Sequence, residues 1–136
     1  MEKYLGNFAP QIYAILRIVS GFMFAMHGTQ KLFGWPGDRD PAELASLMGV
    51  AGIIELVGGI MIMIGLFGSI AAFICSGQMA VAYFMMHAPK DWNPLVNDGE
   101  KAVLYCFLFL YIAARGSGIW SVDATRKKNT HPGYRK

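Results

Sequence analysis

The sequence predicts an all-α protein, an integral membrane four-helix bundle with its N and C termini cytoplasmic. Three observations carry that expectation. Hydrophobic residues make up 54% of the 136 residues and charged residues only 15%, against about 25% charged in a soluble domain. A soluble chain this short has too little interior to bury so much apolar surface, whereas a bilayer accepts it. Second, the stretch from Gly49 to Met86 contains a single charged residue, Glu55. Third, the apolar segments are long and continuous, without the alternation of a membrane β-barrel.

The stretch from Gly49 to Met86 would make one helix of roughly 57 Å, nearly twice a bilayer core. It must therefore turn back, and Gly65-Leu66-Phe67-Gly68-Ser69 is the glycine-marked place to do so. That sets helices at about 46–66 and about 69–88. The apolar run Ala102 to Ala114 marks another at about 99–116. Between these last two lie Pro89, Asp91, Asn93, Pro94, Asn97, Asp98 and Gly99, a turn composition. The first helix is placed at about 10–33. Pro10 suits its first turn, and Ile12 to Leu32 is apolar apart from Arg17, His27, Gln30 and Lys31. Gly34-Trp35-Pro36-Gly37-Asp38 ends it. The organisation is one transmembrane domain over 1–124 and a basic cytoplasmic tail over 125–136. The tail is polar and expected to be mobile. There is no internal repeat, and no cleavable signal is expected because Arg17 interrupts the first apolar segment.

Orientation follows from Lys and Arg placement. One side holds Lys3, Arg115, Arg126, Lys127, Lys128, Arg135 and Lys136; the other holds Lys31, Arg39, Lys90 and Lys101. The first side is the more basic and is placed inside. A basic tail beside an apolar segment reads as an anchor on anionic lipid, so nucleic acid is not an expected partner. Small residues recur every four positions, at Gly21, Ala25 and Thr29 and at Gly68, Ala72, Ser76 and Ala80, while Ala51 and Gly59 flank Glu55. Such spacing lets helix backbones approach closely.

Charged groups inside a bilayer cost about 2.5–3.5 kcal/mol each on insertion scales and need a partner or a purpose. Arg17 and Glu55 are expected to pair. The pair reads either as structural glue or as a proton or quinone site, in which Glu55 and Arg17 are the candidate catalytic residues. His27 and Lys31 are four apart and share a helix side. His87 lies at the same membrane face, followed by Lys90, Trp92, Asn93, Glu100 and Lys101. His27, Lys31, His87 and Glu100 are the candidate cofactor-binding residues. A quinone pocket needs only an apolar slot and one or two donors to a head-group oxygen; a haem between His27 and His87 is the competing reading. No metal site is expected. Cys75 and Cys106 fall at different depths and are expected not to bridge.

The segments Arg17-Ile-Val-Ser-Gly21 and His27-Gly-Thr-Gln-Lys31-Leu-Phe-Gly34 resemble the first helix of DoxX family membrane proteins. Glu55-Leu-Val-Gly58-Gly59 followed by Gly65-Leu-Phe is similar to that family's second helix, and Gly116-Ser-Gly118-Ile-Trp-Ser121-Val-Asp123-Ala124 to its C-terminal ending. The resemblance spans about residues 10 to 124. It implies a four-helix, multi-pass protein of a bacterial or archaeal plasma (inner) membrane. It also implies association with quinone-linked sulfur oxidation or with redox complexes that handle thiol and oxidative stress. The family positions carried over are Arg17, His27, Lys31, Glu55, Glu100, Ser121 and Asp123. Asp123 is expected to cap or salt-bridge the end of the fourth helix.

The functional expectation is a quinone-interacting subunit of a membrane oxidoreductase. The chain has no flavin, Fe–S or clear haem motif, so it would lack its own electron-donor site and depend on a partner redox protein, or assemble as a homo-oligomer, in the lipid bilayer. The alternative is a non-enzymatic membrane scaffold or assembly subunit. A small transporter is the third reading, disfavoured by the lack of an inverted repeat.

Overall fold

The computed structural model describes residues 1–130; Arg135 and Lys136 of the basic tail lie outside the described residues. A short helix α1 (Glu2–Leu5) and a 3-10 turn (Gly6–Phe8) run directly into the long helix α2 (Ala9–Phe33). Then come α3 (Leu47–Ile64) and α4 (Gly68–Ala82), the latter finishing in a π-helical turn (Tyr83–His87). Helices α5 (Glu100–Arg115) and α6 (Val122–Thr130) complete the order, with no strand among the described residues. Three segments are long and apolar enough to cross a membrane: Glu2–Phe33, Leu47–Ile64 and Gly68–His87. The 16 residues of α5 span only about 24 Å, short of a core near 30 Å.

The helix ends follow from local chemistry. Gly34 stops α2 in a left-handed conformation at φ 73°, its N–H returning to the Gln30 carbonyl. The Ser46 hydroxyl accepts from the Gly49 N–H and so caps the start of α3. Gly65, at φ 68°, ends α3. The segment after Ala124, expected to be mobile, is helical through Thr130 as part of α6. That helix is nucleated by Ser121, whose hydroxyl accepts from the Ala124 N–H and donates to the Gly118 carbonyl.

Buried positions on α2 are Tyr13, Ala14, Arg17, Ser20, Gly21, Phe24, Ala25 and Gly28, the three-and-four spacing of one helix face. The opposite face carries exposed Ile12, Ile15, Leu16, Val19, Phe22 and Met23. An outward apolar face of this extent suits lipid rather than water. Neighbouring helices run antiparallel. On α3 and α4, Gly58 faces Cys75, and the Gln78 amide reaches the Ala51 carbonyl at 3.4 Å. On α4 and α5, the Ser76 hydroxyl donates to the Cys106 carbonyl at 2.8 Å. Between α2 and α5, Phe24 meets Phe109 edge-on at 4.7 Å. Cys75 and Cys106 are both free.

The closest approach is α2 on α3. A Cβ placed on Gly28 would lie 2.4 Å from the Leu56 nitrogen and 2.7 Å from the Gly52 carbonyl oxygen. One on Gly21 would lie 2.6 Å from the Met63 nitrogen and 2.7 Å from the Gly59 oxygen. These obstacles are backbone and cannot rotate away. Gly28→Ala is therefore expected to destabilise the fold by about 1–3 kcal/mol. Gly77→Ala, where nothing lies within 4 Å, should leave it unchanged. Thermal unfolding of both variants in detergent checks this, and equal melting temperatures would refute the seam.

Candidate functional site

The antiparallel register set by the glycines separates the two charges expected to pair. Gly21 faces Gly59 and Met63, and Gly28 faces Gly52 and Leu56. Arg17 therefore lies at the C-terminal end of α3, while Glu55 lies at the level of the last turns of α2. The offset is about ten residues, or roughly 15 Å. The expected Arg17–Glu55 pair does not form; each charge instead meets other groups.

Arg17 is fully buried. Its Nη1 donates to the carbonyls of Ile62 and Met63, both at 2.7 Å. Its Nη2 donates to the carbonyls of Trp120 at 2.8 Å and Ile119 at 3.4 Å. The last carbonyls of a helix lack intrahelical partners and carry the negative end of its dipole, so a cation is favoured there. Arg17 thus clamps the α3 terminus to the segment preceding α6. Asp123 completes this end. It accepts from the N–H groups of Phe67 and Gly68, each at 3.0 Å, and from the Ser117 hydroxyl at 2.6 Å. It caps the start of α4 rather than the end of α5, because the chain doubles back after Gly116 and Gly118, at φ 85° and 67°. Burial pushes the Asp123 carboxyl up. The Ser117 hydroxyl, the Gly68 and Phe67 N–H groups and the Arg126 charge outweigh it and hold the pKa below the usual carboxylate value.

The opposite end holds the cavity. Glu55, 1% exposed, is paired with Lys31 through Oε1. The same oxygen accepts from the Gln78 amide at 3.0 Å. Oε2 of Glu55 and Oε1 of Gln78 are buried without a hydrogen-bond partner. A cavity of about 500 Å³ opens beside this cluster, bounded by His27, Lys31, Glu55, His87, Lys101 and Tyr105 among others. The His27 ring stands edge-on to Tyr105 at 6.2 Å between centroids. The His87 Nδ1 lies 2.9 Å from the Asn97 carbonyl. Buried Asn97 in turn holds the loop after the π-helical turn, donating to the Asp91 carbonyl at 2.7 Å and accepting from the Gly99 N–H at 2.8 Å.

Of the candidate residues, Glu55, His27, Lys31 and His87 come together on this cavity. Arg17 does not, and Glu100 is exposed at the start of α5 and is not part of the wall. Sequence reasoning missed Gln78, Tyr105 and Asn97. Gln78 had a legible signal, an amide inside an otherwise apolar helix, which costs free energy unless bonded. Asn97 looked like one of many turn residues.

An all-helical chain with lipid-suited outer faces and a buried acid–amine–amide cluster defines a small membrane protein with an internal polar site. Residues 12–88 match the DoxX family. The chain is also 42% identical over 129 residues to an uncharacterized protein of Haemophilus influenzae, covering 90% of this chain and 93% of that protein. No solved structure matches. The chain belongs to the DoxX family of membrane proteins.

Two outcomes test the separation of the ends. Arg17→Lys replaces a fork by a point charge that cannot reach both carbonyl pairs, and is expected to cost about 2–3 kcal/mol. Because Glu55 is distant, the effects of Arg17→Lys and Glu55→Gln should add within about 0.5 kcal/mol in a double-mutant cycle. A larger coupling would restore a direct pair. Asp123, with its folded pKa depressed, contributes stability that is complete above its unfolded pKa near 3.9 and lost as pH falls through the folded value. The melting-temperature gap between the parent and Asp123→Asn should therefore be constant from pH 7 to pH 5 and shrink below pH 4.

Proposed function

We propose that this protein is a quinone-interacting subunit of a membrane oxidoreductase. In this reading it resides in a bacterial or archaeal inner membrane, and α5 forms a fourth span beside the three longer ones. Leu104, Phe107, Leu110 and Tyr111 on α5 are exposed and suit lipid contact, and polar flanking residues offset its short length. Lys3, Arg115, Arg126 and Lys127 fall at the Arg17 end, whereas the cavity end carries Lys31, Arg39, Lys90 and Lys101. Together with Lys128 and the more distal Arg135 and Lys136, the first set supports cytoplasmic termini.

The observation that carries the functional reading is Glu55. Its carboxyl keeps one buried oxygen unpartnered beside a cavity of about 500 Å³. That size suits a head group with one or two oxygens, and pockets of a few hundred Å³ with few convergent polar groups are typical of small-molecule sites. His27, Lys31 and His87 offer nitrogen donors for head-group oxygens. Phe24, Met79 and Tyr105 supply apolar walls. A bound quinone would supply two-electron, two-proton redox chemistry. The chain's part is to orient the ring, keep water away and hold or release a proton at the Glu55 carboxyl, which Lys31 and Gln78 hold in place. Electrons would arrive from a partner redox protein.

The second reading is a scaffold for another membrane complex. It is supported by the Arg17 clamp and the glycine seam, which hold the helices together. The readings part on one experiment. Protein purified in mild detergent is extracted with organic solvent and its quinone quantified by absorbance and mass. The redox reading expects near-stoichiometric quinone in the parent and at least a severalfold loss in folded Glu55→Gln protein. A quinone-free extract together with no binding of added quinone would favour the scaffold, in which Glu55→Gln lowers only the amount of folded protein.

A further inference from the structure

A second cavity, of about 640 Å³, lies on the other side of Lys31 and His87, between the start of α3 and the end of α4. Its charge differs in kind from the first. The first cavity sets Lys31, Arg39 and Lys101 against Asp40, Glu55 and Asp98. The second is bounded by Lys31, Arg39 and Lys90 with no acidic residue in its wall. Lys31 is engaged by Glu55, but Arg39 and Lys90 form no ion pair or side-chain hydrogen bond among the described residues.

The cavity also has an axis. Ala51, Gln78 and Val81 lie farthest from the loops along the helices; nearer come Leu47 and Met85, then Arg39 and Lys90 in the loops. From Gln78 to His87 along α4 the wall runs roughly 13 Å. Leu47, Val81 and Met85 are 61%, 53% and 53% exposed, so the groove is open sideways, where hydrocarbon would lie. An apolar trough roofed by unpaired cations at the water boundary is complementary to an anion with an alkyl chain. A zwitterionic lipid brings its phosphodiester with a tethered ammonium that the cations of the groove repel, and a free anion would leave the trough unfilled.

We propose that this groove binds one anionic phospholipid of the surrounding bilayer. Arg39 and Lys90 hold the phosphodiester, Lys31 adds its charge from behind, and an acyl chain lies along Leu47, Val81 and Met85. The groove shares Lys31, Arg39 and His87 with the neighbouring cavity, yet a lipid held here does not require a quinone there.

The test uses the full chain in mild detergent, supplied with phosphatidylglycerol or phosphatidylcholine of equal chain length, with retained lipid read by native mass spectrometry. The expected result is one phosphatidylglycerol held per chain with about tenfold preference over phosphatidylcholine. In Arg39→Gln/Lys90→Gln the preference should fall toward parity, and in Arg39→Lys/Lys90→Arg it should persist. Inorganic phosphate at millimolar concentration should not displace the lipid. Equal retention of the two lipids by the parent would overturn the proposal, as would an undiminished preference in the neutralised variant. Displacement by phosphate alone would reassign the site to a free anion. Should the neutralised variant not fold, the parent's preference and the charge-conserving variant decide the matter.

Discussion

Gly21 and Gly28 bring α2 so close to α3 that a methyl group at either would lie within 2.7 Å of the facing backbone, and this contact sets the register of the molecule. Without side chains between them, the two helices meet along Gly52 and Gly59 and cannot slide without a clash. Everything polar follows from that register. Lys31 lies three residues beyond Gly28, with its Cβ beside Gly52, which brings its amine to Glu55. Arg17 lies one turn before Gly21, which brings its guanidinium to the end of α3. A shift of one turn would strand both charges in the apolar interior.

The two buried charges are stabilised in different ways. Arg17 meets carbonyl oxygens from two chain segments through its two Nη atoms, while its Nε is buried without a partner. Its planar fork suits a fixed joint. Glu55 meets an amine and an amide on one oxygen and nothing on the other. A half-satisfied acid beside a cavity costs free energy, and on the proposed reading a bound head group would give its free oxygen a partner. The π-helical turn at Tyr83–His87 widens α4 where it passes the cavity. Such bulges often sit at functional sites, and here the turn presents His87 toward the loop held by Asn97.

Separation of the ends also explains the chain's C-terminal segment. Phe67 starts α4 from a left-handed backbone, φ 47°, a conformation uncommon for a non-glycine residue. Asp123 holds it by accepting from the Phe67 and Gly68 N–H groups, while its own N–H returns to the Gly65 carbonyl. The turn between α3 and α4 is therefore stabilised by residues more than fifty positions away. The guanidinium of Arg126 stacks over the Phe67 ring at 4.9 Å, extending the same joint.

The helical, membrane-suited character of this protein was legible in its sequence, because apolar length and the scarcity of charge are local properties that lipid reads directly. The grouping of His27 with Lys31 was legible too, since four residues on a helix share a face. The glycines announced close packing, yet their partners could not be read. Helix register depends on which seam meets which, and small-residue spacing alone permits several. That is why Arg17 and Glu55 appeared paired when judged by depth, although they lie at opposite ends. The capping target of Asp123, the place of Gln78 beside Glu55 and the exposure of Glu100 were likewise decided only by tertiary structure. Each rests on where a distant segment packs, and packing at a separation of twenty to fifty residues is set by the register of the helices between them.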